Sequence, residues 1–300
     1  MEKDKQDFVI VGPSCVSQLP YRRGSHWLYH IRQLPLKSVV LFTLVLAGCL
    51  GAELLMNHDP AQFYLNHLNQ APDAEFYFGT DSLGRDLFSS IWYGGRISLF
   101  IGFLGTAILS VIGILYGCLS GMASKRIDSL LMRFAEMMSS IPSLLLLLLL
   151  LAVTGKPTPV SMAVIIGATS WMNLARIVRS EVRQLQTCGY VLAARAMGAS
   201  FPHILLRHLL PNFFAAIMFI MVSSIGTCIR TESTLSFLGV GLPVEILSWG
   251  SMLSLANKAL LTNTWWVIVC PGVFLILTLL CITNIGEYLH QNINKKESNL

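Results

Sequence analysis

Side chains that could carry acid–base or metal chemistry are few in this sequence, and their spacing forms no familiar site. Two histidines and four of the carboxylates in one polar stretch are the candidates: His58, His67, Asp73, Glu75, Asp81 and Asp86. A calcium loop needs oxygen ligands at closely spaced alternating positions, which this stretch lacks. Two scattered histidines do not supply the ligand set of a zinc site. We therefore predict no metal site and no catalytic residue here.

Motifs of nucleotide-binding and hydrolytic enzymes are absent from the sequence. A phosphate-binding loop reads G-x-x-x-x-G-K-[ST], but Gly155-Lys156 is followed by a proline. The H-E-x-x-H and G-x-S-x-G patterns do not occur either. We therefore predict that the chain is not an enzyme, binds no cofactor and does not itself hydrolyse ATP.

Two pairs of oppositely charged residues lie in strongly apolar surroundings. Arg133 and Glu136 are close neighbours in one apolar segment, and Arg230 and Glu232 in another. Ionisable groups in membrane segments are costly, so they normally face protein or a water-filled cavity. The sequence leaves open whether these pairs line a transport pathway or pair structurally. An ion-coupled pump would also require a carboxylate at mid-membrane, and the apolar segments carry none there.

The elements that must position these residues are membrane helices. Hydrophobic residues make up 54% of the 300 residues and charged residues only 12%, whereas soluble chains carry about 25% charged residues. Six apolar segments are long enough to cross the hydrocarbon: Leu36–Met56, Ile97–Met122, Leu130–Val153, Val160–Ile177, Phe213–Ser233 and Trp265–Tyr288. Glycine and proline inside them, as at Gly113, Gly117 and Pro142, are tolerated in such helices. We predict an all-α polytopic membrane protein with about six transmembrane helices.

Lysine and arginine set the predicted orientation. They concentrate in the N-terminal flank, in the second-to-third and fourth-to-fifth connections and in the tail. The positive-inside rule makes these parts cytoplasmic, including both termini, so the net charge of +5 indicates orientation rather than nucleic-acid binding. The predicted division is a cytoplasmic segment at 1–35, a first transmembrane helix at 36–57, an extracytoplasmic loop at 58–95, a membrane core at 96–288 with a cytoplasmic loop at 185–211, and a cytoplasmic tail at 289–300. Within the first segment, Ser25–Leu34 has the pattern of an interfacial helix or of an ordinary cytoplasmic flank.

The cytoplasmic loop carries unusual helical structure for a connection between spans. Its sequence predicts a slim, alanine-rich helix, a left-handed turn at Gly198 and a second helix that Ser200 caps. The second helix, Phe201–Leu210, is predicted to end at Pro211, which lacks an N–H and clashes with the preceding turn. Spacing alone is compatible with a docking surface for another protein or with a helical hairpin lying on the bilayer.

The external loop ends in Phe78–Asp86, which reads FGTDSLGRD. Gly79 and Gly84 allow tight turns, and Thr80 or Asp81 is predicted to cap a short helix that follows. One interpretation is an outer gate or a landing surface for a substrate-delivering protein, formed by Gly79, Thr80, Asp81, Gly84, Arg85 and Asp86. The other is a structured loop in which Arg85 and the acids pair with one another.

Four stretches resemble the dipeptide/oligopeptide/nickel permeases of ATP-binding-cassette (ABC) importers, in the second-permease branch. They are FGTDSLGRD at 78–86, AARAMGAS with RHLLPN within 193–212, ESTLSFLGVGLP at 232–243 and SWGSML at 248–253. The pattern Ala-Ala-x-x-x-Gly at Ala193–Gly198 is similar to the coupling motif of such permeases. The resemblance covers roughly Phe78 to Glu287 in unbroken order.

The resemblance implies a type I ABC importer transmembrane domain in a bacterial cell membrane. It implies three kinds of partner beside the lipid bilayer: a second homologous permease, two cytoplasmic ATPase subunits that hold ATP and magnesium, and an extracytoplasmic substrate-binding protein. The coupling residues that it implies are Leu192, Ala193, Ala194, Arg195, Gly198, Ala199, Ser200 and Pro211. This chain departs from the family where an acidic residue is usual, because Leu192 stands there.

Alternatives remain at the level of substrate and mechanism. The resemblance implies peptides as substrate, while nickel or a metal–chelator complex uses closely similar permeases. A secondary transporter or an intramembrane enzyme working alone would show repeated halves with midplane polar sites, or paired catalytic residues inside spans. The sequence shows neither pattern.

Overall fold

A computed structural model describes residues 35–297, so the predicted interfacial helix at Ser25–Leu34 lies outside the described residues. Described residues form helices and connecting loops, with one isolated antiparallel bridge between Thr80 and Asp86. The α-helices in chain order are α1 Leu36–Leu50, α2 Ala52–Leu55, α3 Leu87–Met122, α4 Lys125–Ser140, α5 Ser143–Thr154, α6 Pro159–Ser170, α7 Met172–Leu185, α8 Gly189–Ala196, α9 Phe201–Ile204, α10 Leu210–Phe237, α11 Trp249–Leu253, α12 Ala256–Thr262 and α13 Trp266–Glu297. A π-helical segment, Leu205–Leu209, joins α9 to α10.

The predicted apolar segments all fall on these helices. Two helices, Leu87–Met122 and Trp266–Gln291 within α13, are long and apolar enough to cross a membrane as single elements. Two bent pairs, α4 with α5 and α6 with α7, pass the same criteria when each pair is taken together. Helix α10 adds 28 residues, and its length of about 42 Å exceeds the roughly 30 Å of hydrocarbon. The all-helical membrane fold is thus confirmed.

The third and fourth predicted spans are not single straight helices. Helices α4 and α5 meet at 85°, and helices α6 and α7 at 47°. The first bend lies at Ile141-Pro142, where extended backbone separates the two helices. A proline disfavours helical geometry in the residue before it and removes a backbone donor, so the helix ends at Ser140. The prediction that Pro142 is accommodated inside one helix is wrong.

Helix α3 begins at Leu87, well before the predicted span at Ile97. Its N-cap is Asp86, whose carboxylate accepts a hydrogen bond from the Ser89 N–H at 3.0 Å. The predicted cap, Thr80 or Asp81, is therefore wrong, because Asp86 has the extended backbone and the reach that an N-cap needs. The early start also places ordered helix in the region predicted as the end of the external loop.

Helix α3 is the centre of the packing and lies against α6, α7 and α10. Glycines on its length let these helices approach closely. A Cβ on Gly117 would lie 2.6 Å from the Ala175 carbonyl oxygen, and one on Gly113 would lie 3.0 Å from the Leu174 side chain. The absence of a side chain at these positions fixes how close α7 lies to α3, as expected for packing through small residues in membranes.

Helix α1 is tied to α3 by one arginine. The Arg96 side chain donates to the carbonyl oxygens of Cys49 and Leu50, each at 2.7 Å, and pairs with Glu53 at 3.0 Å. These carbonyls belong to the last turn of α1, whose orphan acceptors a cation satisfies well. Arg96 therefore ends α1 and fixes it against α3.

Candidate functional site

The predicted cytoplasmic loop consists of α8, a glycine turn, α9 and the π segment. Helix α8 ends at Ala196, and Gly198 in the turn that follows has a φ of +80°. The Met197 and Ala199 N–H groups donate to the Ala193 and Ala194 carbonyl oxygens, at 3.0 and 3.1 Å, which closes the last turn. The left-handed turn predicted at Gly198 is confirmed, and it suits glycine because other residues are strained there.

One side of α8 is exposed and the other is buried. Leu192 and Met197 are 51% and 81% exposed, and Ala193 is exposed as well. Ala194, predicted as a contact residue, is only 4% exposed and packs inward with Val191. The Arg195 side chain lies outside the described part of the structure. The exposed surface of α8 and of the residue that follows it includes Leu192, Ala193 and Met197, and Ala194 lies beneath this surface.

The second predicted helix of the loop does not end at Pro211. Ser200 precedes α9, and its carbonyl oxygen accepts from the Ile204 N–H at 3.0 Å. The chain then passes through the π segment, where the Leu210 N–H donates to the Leu205 carbonyl oxygen. Pro211 follows in the first turn of α10, where its missing N–H leaves no bond unmade. The loop is therefore continuous with α10. The prediction of a helix stop at Pro211 is wrong, because the π turn before this residue requires no hydrogen bond from the proline nitrogen.

A buried carboxylate anchors this loop to the membrane helices. Asp128 on α4 is 4% exposed and accepts from Arg179 Nε and Nη2 at 2.5 and 2.6 Å. It also accepts from Arg183 Nη2 at 2.5 Å and from Ser120 Oγ at 2.6 Å. Arg179 and Arg183 lie on α7, directly before the loop, and Ser120 lies on α3. Three helices thus share one carboxylate, which we call the Asp128 cluster.

Sequence reasoning missed the Asp128 cluster, because Arg179 and Arg183 counted only toward orientation. The signal was present: the two arginines are four residues apart, so both face the same side of a helix. A second tie runs beside the cluster, where Gln186 Nε2 donates to the Gly121 carbonyl oxygen at 2.7 Å. The end of α7 is therefore held at several points against the end of α3 and the start of α4.

The stretch Phe78–Asp86, predicted to lie outside the cell, is folded around an internal ion pair. Arg85 Nε lies 2.8 Å from Asp81 Oδ2, and both residues are buried. Asp81 Oδ1 also accepts from the Leu83 and Arg85 N–H groups, at 2.8 and 3.0 Å. Arg85 Nη1 donates to the Val244 carbonyl oxygen at 2.9 Å, which joins this loop to the segment after α10. This geometry supports the structural interpretation, in which Arg85 pairs with an acid of its own loop.

Thr80 and Asp86 are fully buried in the same loop. The Thr80 carbonyl oxygen accepts from Trp266 Nε1 at 3.1 Å, which docks the loop on the start of α13. Gly79 and Gly84 have φ values of +74° and +77°, and a Cβ on either would lie within 2.5 Å of a carbonyl oxygen. In the segment just before this loop, the N–H of Phe76 donates to the Asp73 carboxylate and holds the pKa of that carboxyl below its usual value.

Neither of the two predicted charged pairs forms an ion pair in the structure. Arg133 and Glu136 are both exposed on α4, and the ion pairs among the described residues include neither. Glu232 is fully buried, whereas Arg230 is exposed on the other side of α10. Residues two apart on a helix do not face each other, so the structural pairing considered for Arg230 and Glu232 does not form.

Glu232 is instead held by serine hydroxyl groups. Its Oε1 accepts from Ser248 Oγ at 2.8 Å and from Ser236 Oγ at 2.9 Å. Its Oε2 lies 3.3 Å from both Ser98 Oγ and Ser233 Oγ. Ser98 belongs to α3 and Ser248 caps α11, so Glu232 joins three helices near the predicted outer end of α10. We call this arrangement the Glu232 cluster.

Comparison with known proteins decides the family. Residues 113–297 match the model of the "binding-protein-dependent transport system inner membrane component" family. The chain belongs to this family. It is 37% identical to the dipeptide transport system permease protein DppC of Bacillus subtilis over 258 residues, which cover 86% of this chain and 80% of that protein. The oligopeptide transport system permease proteins OppC of Bacillus subtilis and Haemophilus influenzae are 33% and 37% identical, over 89% and 77% of this chain and 87% and 75% of those proteins.

Membership of this permease family gives the location of the chain and its general role. The chain is a multi-pass protein of the cell membrane and a component of a transport system, consistent with its apolar helices. The matched residues include α7, the loop, α10 and α13. They also include Asp128 and Glu232, the carboxylates at the centres of the two buried clusters. No group of three or more His, Cys, Asp or Glu residues that could hold a metal ion occurs within the described part of this permease.

Proposed function

We propose that this chain is one of two permease subunits of an ATP-driven importer that moves peptides into the cell. The observation that carries the proposal is the loop of α8 and α9, which presents Leu192, Ala193 and Met197 outward while the Asp128 cluster holds its base. The relatives named as dipeptide and oligopeptide permeases support peptides as the substrate. The partners are a second permease, two cytoplasmic ATPase subunits with ATP and magnesium, and an extracytoplasmic substrate-binding protein.

The proposed mechanism transmits force through the loop. Both ends of the loop are coupled to the membrane core: α7 leads in through the Asp128 cluster, and the π segment leads directly into α10. A partner that closes on α8 when ATP binds would move α7 and α10 together. ATP then drives transport because the ATP-bound partner binds one conformation of the two permeases better than the other.

Leu192 gives the docking surface an apolar character in this chain. A carboxylate at this position would offer an ion pair to the partner, whereas the exposed Leu192 and Met197 side chains offer apolar area. Burial of such side chains contributes about 1.5–3 kcal/mol each. We propose that apolar contact replaces the usual charged contact between this permease and its ATPase.

Purification of this chain from its native membrane in a gentle detergent tests the proposal. The expected result is a fixed stoichiometry with a second permease and with ATPases, together with ATP-dependent uptake of peptide when the complex and its binding protein are placed in vesicles. A chain that purifies alone and moves solute without ATP would contradict the proposal and would favour a secondary transporter. Uptake of nickel but not of peptide would contradict the substrate while leaving the importer intact.

A further inference from the structure

The outer half of α10 has two chemically different faces. The face that packs against the rest of the protein is buried and includes Cys228, Ile229, Glu232, Leu235 and Ser236. The opposite face, which points away from the protein and which we call the outward face, carries three exposed residues, Thr227, Arg230 and Thr234, with Thr231 partly exposed between them. Positions 227, 230, 231 and 234 repeat at intervals of three and four, so they form one stripe along the helix.

A stripe of this composition does not suit a lipid-facing surface. A helix side in contact with acyl chains is apolar, and arginine within a membrane segment normally faces protein or water. The threonine hydroxyl groups bond to carbonyl oxygens one turn earlier: Thr231 to Thr227 at 2.9 Å and Thr234 to Arg230 at 2.8 Å. Each hydroxyl keeps acceptor capacity for water or for a passing solute.

The positive charge of Arg230 is not neutralised by its neighbour. Glu232 points to the opposite side of α10, where the serine hydroxyl groups of the Glu232 cluster occupy its oxygens. The ion pairs among the described residues link Arg85, Arg96, Arg179 and Arg183 to acids and do not include Arg230. The burial of Glu232 thus leaves the outward face of α10 with a positive charge.

We propose that this outward face lines the translocation pathway and that Arg230 selects solutes that carry a carboxylate. The proposal rests on the proposed function and specifies its substrate class: the free C-terminal carboxylate of a peptide would meet the Arg230 guanidinium as it passes. A guanidinium binds carboxylates through paired charge-assisted hydrogen bonds. The same charge raises the local concentration of anions and lowers that of free divalent cations. Arg230 is therefore a specificity-determining residue that favours peptides over uncomplexed nickel.

Cysteine labelling in the assembled complex tests whether the outward face of α10 is exposed to water. Thr227→Cys places a thiol one turn before Arg230, and it is treated with water-soluble methanethiosulfonate reagents bearing a sulfonate or a trimethylammonium group. We expect the sulfonate reagent to react faster, and the additional change Arg230→Gln to abolish that preference. The parent complex without Thr227→Cys measures the background from native cysteines. Reaction with a lipid-soluble maleimide but with neither charged reagent would show a lipid-facing surface, and no reaction at all would show a sealed interface; either result overturns the proposal.

Uptake of paired substrates tests the selection. A peptide and its C-terminal amide are compared in vesicles that contain the complex and one binding protein, so that the preference of the binding protein cancels between variants. We expect Arg230→Gln to lower the ratio of acid to amide uptake by about two- to fivefold, as for one ion pair in water, and Arg230→Lys to retain most of it. Lys156→Gln, which removes an exposed cation predicted to lie on the same side of the membrane, should leave the ratio unchanged.

The role of Arg230 and the proposed function can be overturned separately. An unchanged acid-to-amide ratio in Arg230→Gln, with ATP-dependent peptide uptake intact, would overturn the role of Arg230 and leave the proposed function standing. Absence of ATP-dependent uptake in the unmodified complex would overturn the proposed function itself. In that event the labelling pattern at Thr227→Cys still reports whether the face of α10 is exposed to water.

Discussion

Replacement of Asp128 by asparagine should loosen the base of the loop more than any other single charge removal on α4. The carboxylate receives four hydrogen bonds, from Arg179, Arg183 and Ser120, at 2.5–2.6 Å. Asparagine keeps the size but loses the charge and part of the acceptor capacity, which leaves two arginines close together without their acid.

The magnitude lies between two limits. Breaking a fully buried ion pair costs about 3–5 kcal/mol, and an exposed pair is worth about 0.2–1 kcal/mol. The Asp128 side chain is 5% exposed, but Arg179 and Arg183 are 28% and 40% exposed and regain water when their partner is lost. We therefore expect Asp128→Asn to cost about 1–3 kcal/mol of stability, discounted for solvent screening of the arginines.

The assay is a double-mutant cycle on the purified complex. Thermal unfolding in detergent compares the parent, Asp128→Asn, Arg179→Gln and the double variant, while vesicles report peptide taken up per ATP hydrolysed. We expect a lower unfolding midpoint, a coupling energy between the two sites and less transport per ATP. Arg133→Gln, which removes a charge from an exposed position of the same helix, is the matched control and should change little. Strictly additive effects of the two substitutions would refute the reasoning, since residues in contact are expected to be coupled.

Three further substitutions test the loop and the packing. Gly198→Val should abolish uptake and ATPase binding without loss of the chain from the membrane, because a branched side chain is strained at a φ of +80°; normal co-purification with the ATPase would exclude docking at this turn. Leu192→Glu should weaken ATPase binding, because the half-exposed Leu192 side chain is proposed to contribute apolar contact area; an unchanged complex on a size-exclusion column would show that the partner keeps a groove for the usual acidic residue. Gly117→Val should reduce the yield of folded protein, because even its Cβ would lie 2.6 Å from the Ala175 carbonyl oxygen; an unchanged unfolding midpoint would contradict the packing described for α3 and α7.

The helical segments and the glycine turn were predictable from sequence, because both depend on local chemistry. Apolar length identifies a membrane helix, and an alanine-rich turn followed by Gly198 predicts a left-handed end. The N-cap at Asp86 was also within reach, since it lies immediately before the first apolar run of α3. The prediction chose Thr80 or Asp81 because it assumed a separate short helix there.

The prolines show where sequence reasoning stops. Pro142 breaks its helix and Pro211 does not, although both follow an apolar residue in an apolar stretch. Pro142 lies where two helices turn by 85°, whereas Pro211 follows a π segment that needs no N–H from it. The outcome depends on packing beyond the local sequence, and single-sequence patterns do not contain it.

The buried clusters were partly visible in the sequence. Glu232 was singled out as costly in a membrane segment, but its partners come from Ser98 and Ser248, far away in the chain. Asp128 and its arginines are likewise separated by more than a helical hairpin. Such contacts require the fold, because only tertiary structure brings α3, α4 and α7 to one point.

The π segment Leu205–Leu209 sets the rotational phase of α10. A π turn contains one residue more than an α turn, and each residue advances the helix by about 100°. Removal of that extra residue would rotate α10 by about a quarter of a turn relative to the loop that feeds it. Arg230 and Glu232 would then no longer lie on the faces of α10 that they occupy, so one wide turn at the start of α10 determines which charge each face presents near the far end of the helix.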